Sequence, residues 1–98
     1  MNVQKQNRIV EQLKAIQKPG ISYDTINKKY VDIMVSPTVI LRDDKIIVSA
    51  EDGRDFADYY GEFRGGYPFV DPVLEKFAAT NNMFWEWENP GCIYLCEK

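Results

Sequence analysis

Three pairs of acids stand close enough along the chain to share a divalent ion or to divide acid and base roles. They are Asp43-Asp44, Asp55 with Asp58, and Glu86 with Glu88. Such pairs arise readily in a chain with 15 Asp and Glu residues. Histidine is absent, which removes the commonest general base and the usual activator of a serine or cysteine nucleophile. Cys92 and Cys96 are the only cysteines, and Cys92 as a nucleophile needs a lysine or a helix terminus to depress its pKa. Two cysteines without histidine cannot supply the four ligands of a structural zinc site. The loop Arg64-Gly65-Gly66-Tyr67-Pro68 could form an anion-binding nest. It lacks dinucleotide-binding and P-loop spacing, and a helix stop explains its glycines with fewer assumptions. The expectation is a non-enzymatic chain with no cofactor and no metal, the alternative being a small divalent-metal enzyme.

A stronger signal is the stretch EDGRDFADYYGEF, residues 51–63. Wound as a helix, it places Phe56, Tyr59, Tyr60 and Phe63 on one side. Glu51, Asp55, Asp58 and Glu62 then form a second stripe. Eleven steps at about 1.5 Å each spread those four charges over about 16 Å, or one per about 5 Å. That is sparser than one phosphate per roughly 3.4 Å along a DNA strand. Asp52 and Asp71 add density if the fold brings them near. Such a ridge suits a basic partner; its bland counterpart is a solvated acidic face. Trp85 and Trp87 are further contact candidates if their strand lies at a sheet edge, since indole is favoured at interface hot spots.

The elements that would position these residues follow from periodicity. Residues 2–18 read as an amphipathic helix with Val3, Val10, Leu13 and Ile16 inward and Ile9 at the edge, stopped by Pro19-Gly20. SYDTINKKY reads as a turn or a single short helix. From Tyr30 the period becomes two: Val31, Ile33 and Val35 alternate with Asp32 and Met34. TVIL and KIIVS flank Arg42-Asp43-Asp44-Lys45, a strand–turn–strand signal whose turn should be a type I variety. Ser49 caps the 51–63 helix, and Asp71-Pro72 starts another with Val73, Leu74, Phe77 and Ala78 inward. MFWEWE and CIYLC are strands around Asn89-Pro90-Gly91, which fits a type II turn. The expectation is one α+β domain over residues 1–98: an antiparallel sheet of two hairpins, packed with an N-terminal helix and two short central helices.

Composition narrows the function classes. With 45% hydrophobic residues in 98, the chain can bury a core. No apolar run approaches a membrane span, and the N-terminus lacks a signal-peptide core, so cytoplasmic residence is the default. The net charge of −3 is split unevenly. Residues 1–50 hold eight Lys/Arg against five Asp/Glu, whereas residues 51–98 hold four against ten. That acidic half disfavours phosphate and favours a basic protein or a protein–nucleic-acid complex as partner.

In size, charge layout and the stretch EDGRDFADYYGEF, the chain resembles the small acidic inhibitors of phages and mobile elements, such as anti-CRISPR and anti-restriction proteins. The resemblance implies a compact protein-binding inhibitor, in part a DNA mimic, whose carboxylates occupy a nucleic-acid-binding groove. The partner-binding residues on this reading are Glu51, Asp52, Asp55, Asp58, Tyr59, Glu62, Trp85 and Trp87, with no membrane and no direct nucleic acid. The alternative is a regulatory or nucleic-acid-binding module using the basic N-terminal half: Lys5, Arg8, Lys14, Lys18, Lys28 and Lys29.

Overall fold

A computed structural model describes residues 1–51, 56–60 and 68–98. Its first element is helix α1, Val3–Lys14, capped by Asn2, whose side-chain oxygen accepts from the Lys5 amide at 2.8 Å. Gln6, Ile9 and Leu13 are its buried residues. Ile9 is therefore at the centre of the inward stripe and not at its edge, while Val3 faces water. The helix ends four residues earlier than 18. Pro19 and Gly20 do not stop it; they lie inside strand β1, Lys18–Asp24.

Strand β1 pairs antiparallel with β2, Lys29–Val35, over seven residue pairs from Lys18 with Val35 to Asp24 with Lys29. The segment read as a turn or a short helix is the tip of this hairpin: 25–28 do form a turn, and its flanks belong to β1 and β2. Asp24 organises its loop: one carboxylate oxygen accepts from the amides of Ile26 and Asn27, the other from the Asn27 side chain. Lys28 closes the loop at φ 53. At the root, a Cβ on Gly20 would meet Val35 Cγ1 at 2.9 Å, so glycine here answers a close approach.

The main sheet has the order β3-β4-β8-β7 and is antiparallel throughout. Its strands are β3 (Val39–Arg42), β4 (Lys45–Ser49), β7 (Met83–Asn89) and β8 (Cys92–Glu97). Between β4 and β7 come the short pair β5 (Ala57–Asp58) with β6 (Phe69–Val70), then helix α2, Pro72–Thr80. Asp71 caps α2 by accepting from the Val73 amide at 2.8 Å, with Pro72 in the first turn. Ile9 and Leu13 of α1, Leu74 and Ala78 of α2, and alternate residues of the sheet, Ile46, Val48, Ile93 and Leu95, share one core with Met83, Phe56 and Ala57.

The architecture is α+β with antiparallel sheets, but it is not the simple two-hairpin arrangement. Among the described residues three hairpins with short loops are present, the first outside the main sheet. Of the two central helices only α2 is described. A continuous helix over 51–63 is ruled out by β5, because Ala57 and Asp58 are extended and Tyr59-Tyr60 form a turn. Asp58 accepts from the Tyr60 amide at 3.1 Å, the local side-chain bond that competes with helix formation. The remainder of that segment, 52–55 and 61–63, lies outside the described residues. The two turns differ from expectation too. Asp43 and Asp44 both have positive φ, 52° and 61°, so their two-residue loop is of the primed type that matches strand twist. Gly91 stays out of the left-handed region a type II turn demands; its amide donates to the Asn89 side chain at 2.8 Å instead.

Candidate protein-interaction surfaces

The expected acidic ridge is redistributed. Glu51 is exposed, its amide donating to Ser49 Oγ at 3.1 Å, and the helix expected to follow Ser49 runs into residues outside those described. Asp58 is only 1% exposed and faces inward. It cannot form part of an outward stripe. Asp52, Asp55 and Glu62 lie outside the described residues. Glu51, Asp58 and Tyr59 do meet, however, around a cavity of about 220 Å³ that Ala50, Tyr60 and Gly91 help to line. Tyr59 packs edge-on against both Tyr60 and Trp87, with ring centroids 5.3 Å away in each case. A carboxylate beside tyrosine faces is suited to one Lys or Arg side chain of a partner.

The tryptophans are half-buried and belong to the inner side of the sheet. β7 is an edge strand, as a contact role requires, but Trp85 and Trp87 pack against the core. Trp85 Nε1 donates to the Leu74 carbonyl at 2.8 Å, joining β7 to α2. Trp87 reaches the cavity only through Tyr59. Alternation along β7 explains both, since Met83, Trp85 and Trp87 share a face and Phe84, Glu86 and Glu88 share the other.

On that outer face Glu88 gathers Arg42 Nη2 and Lys45 Nζ, both at 3.2 Å, and Cys92 Sγ donates to it at 3.3 Å. The thiol hydrogen bond, with Lys45, holds the Glu88 carboxyl below its usual range. Burial, then Glu88, pushes the Cys92 thiol up; burial, then Glu86, does the same to Cys96. Both are free thiols at neutral pH. Lys45 Nζ also stands 4.6 Å over the Tyr94 ring. These groups form a satisfied ion-pair cluster. Among the described residues no three Cys, Asp or Glu side chains converge as a metal site would need.

The surface that sequence reading missed is the hairpin β1–β2. Cross-strand partners share a face, so Pro19 with Met34, Ile21 with Asp32 and Tyr23 with Tyr30 make one side of the ribbon. Every one of those six is exposed. Ile21 is 67% exposed, Tyr30 75%, and Ile26 at the tip 88%. The two tyrosine rings meet edge to face with centroids 5.1 Å apart. The other side is half-buried around Val31 and Val35. Neither strand joins the main sheet, and the molecule measures 47 × 27 × 23 Å, a body bearing an arm. Lysines of the basic half divide between both parts. Lys5 pairs with Glu97 and Lys18 with Asp71, whereas Lys28 and Lys29 flank the arm's tip. The available signals were the alternation of Ile21 and Tyr23 around Ser22 and the Asp24…Asn27 loop; the Pro19-Gly20 pair masked them.

Compared with family models, curated proteins and solved structures, the chain matches none. No helix among the described residues is long and apolar enough to cross a membrane.

Proposed function

We propose that this chain is a non-enzymatic binding protein of the inhibitor type, which blocks a surface of a partner protein and uses the β1–β2 arm as its main contact element. One observation carries the reading: a two-stranded ribbon presents Ile21, Tyr23, Ile26, Tyr30 and Met34 to water. Isolated two-stranded hairpins are marginal in water, and contiguous exposed apolar surface on a small domain marks an interaction site. Tyrosine and isoleucine give contact area at a modest loss of rotamer freedom.

The acidic share of the contact moves with the structure. Glu51, Tyr60 and the cavity they border remain available to a cationic side chain, and Asp52, Asp55 and Glu62 stand beside them in sequence. A basic target therefore still suits the acidic half, with the arm supplying the apolar adhesion and the carboxylates the steering.

The test is a comparison of captured partners in cell extract using the whole chain, an Ile21→Lys/Tyr30→Lys variant and a Glu51→Lys variant. The arm variant should lose the specific partner at any salt. The Glu51→Lys variant should keep it with weaker binding, and its remaining affinity should depend less on salt. Equal capture by the wild type and the arm variant would remove the arm from the contact.

A further inference from the structure

We propose that the β1–β2 arm takes up its partner by strand addition. An extended segment of the partner protein pairs antiparallel with the outer edge of β2, setting a Lys or Arg opposite Asp32 and apolar residues opposite Tyr30 and Met34. This rests on the reading of the arm as a contact element and names how that contact is made.

Proline fixes which main-chain groups point outward. Opposed residues of an antiparallel pair alternate between those that exchange both N–H···O=C bonds and those that exchange none. Pro19 has no N–H to give, so Pro19 with Met34 is a pair of the second kind. Alternation assigns Ile21 with Asp32 and Tyr23 with Tyr30 to the same kind. The tyrosines agree, since side chains stand closer in such pairs and these ring centroids are 5.1 Å apart. The main-chain groups of these residues therefore point away from the ribbon's midline, toward its two edges.

The edges are not equivalent. On β1 the row is broken by Pro19, and its root is tied to the body through Lys18 and Asp71. On β2 the N–H and C=O groups of Tyr30, Asp32 and Met34 form an unbroken row, with no proline and no bulge in the register. Neither strand joins another described strand, and Tyr30, Asp32, Ile33 and Met34 are all exposed. Two strands alone are marginal in water, and a third strengthens such a ribbon. An extended segment binds there through main-chain hydrogen bonds, so its hold does not depend on the area of one narrow face.

Side chains state which segment fits. Opposed residues across a new strand pair share a face, and the face along this edge reads Tyr30, Asp32, Met34. Asp32 is exposed and makes no ion pair among the described residues. Its cross-strand neighbour within the arm is Ile21. A cation opposite Asp32, flanked two residues away on each side by apolar side chains, complements that row. The basic target favoured by the acidic half supplies such a residue.

The probe is a capped synthetic peptide, Thr-Val-Thr-Lys-Thr-Val-Thr, titrated to about 2 mM into the isotope-labelled full chain, a range that reaches weak affinities. The amides of Tyr30, Asp32 and Met34 should shift and exchange more slowly with water, while those of Ile21 and Tyr23 stay as they were. Glu in place of the peptide's Lys should weaken binding by about two- to fivefold, and Asp32→Asn by a similar factor. N-methylation of the peptide's Val and Lys nitrogens, which face β2, should abolish binding; N-methylation of the Thr nitrogens between them should not. Asp32→Pro should abolish it as well, because the lost N–H points outward, as at Pro19. Retained protection of the Ile33 amide shows that the ribbon of this variant is intact. No shift at the β2 amides, equal binding by both methylated peptides, or stronger binding to Asp32→Asn overturns the proposal. Protection of the same amides in the chain alone as its concentration rises also overturns it, by putting a second copy on the edge. The two readings fail differently. If Ile21→Lys/Tyr30→Lys loses the partner captured from extract but Asp32→Pro keeps it, strand addition falls and the arm remains the contact; if both keep it, the arm reading falls too.

Discussion

Asp58 accepts a hydrogen bond from the Tyr60 amide inside a wall that leaves it almost no contact with water. Reversing its charge would bury a cation where the surroundings are arranged for an anion. Asp58→Lys should therefore lower stability by about 3–5 kcal/mol, read as the urea midpoint. Glu51→Lys, at an exposed position, should stay within about 0.5 kcal/mol. Equal effects at the two sites would restore the outward stripe. Glu88 and Cys92 make the second prediction. Because the Glu88 pKa is lowered on folding, its pairing supports the fold above the unfolded value near 4.5 and loses that support as pH falls through the lower folded value. Glu88→Gln should thus differ from wild type in stability near neutral pH and converge with it in acid. The same substitution removes a cause of the raised Cys92 pKa, so iodoacetamide should label that thiol faster in the variant. Unchanged labelling would mean that burial alone protects it.

At the scale of elements, legibility tracked how much of each pattern was local. Helix α2 announced itself through Asp71-Pro72 and its inward stripe, and both facts hold. The β3–β4 and β7–β8 hairpins were readable because each has turn residues between two apolar runs. Only the turn types differed, since Asp43 and Asp44 accept positive φ without a glycine. Strand β1 was hidden by Pro19-Gly20, a pair that ends helices as readily as it begins an edge strand. The stretch around Phe56 failed for another reason. Phe56, Ala57 and Asp58 are consecutive and all buried, and a segment buried on every side has no period to read. Aromatic spacing that matched a helix was coincidence there. Of the expected contact residues, Glu51, Asp58 and Tyr59 were brought together; of the arm, β2 was legible in the alternation from Tyr30 to Val35, whereas its pairing with β1, which sets out Ile21, Tyr23, Tyr30 and Met34 on one face, was not.

The whole molecule is a dense body with a slender extension, 47 Å in its longest dimension. Its core is contributed by both helices and the main sheet, so the arm can be altered without removing any residue of that core. Lys28 ends the exposed loop at the far end and Lys29 begins β2, which makes a trypsin cut between them the first expected nick. A molecule cleaved there would keep its halves together through Ile9 and Leu13, and lose only the covalent link at the tip. If a partner protein covers the arm, digestion at this bond should slow when that partner is added at a fixed enzyme ratio; a rate constant indifferent to it would mean the tip is never sheltered. The loop thereby acts as a built-in clock whose rate reports, without any label, how often the extension is left uncovered.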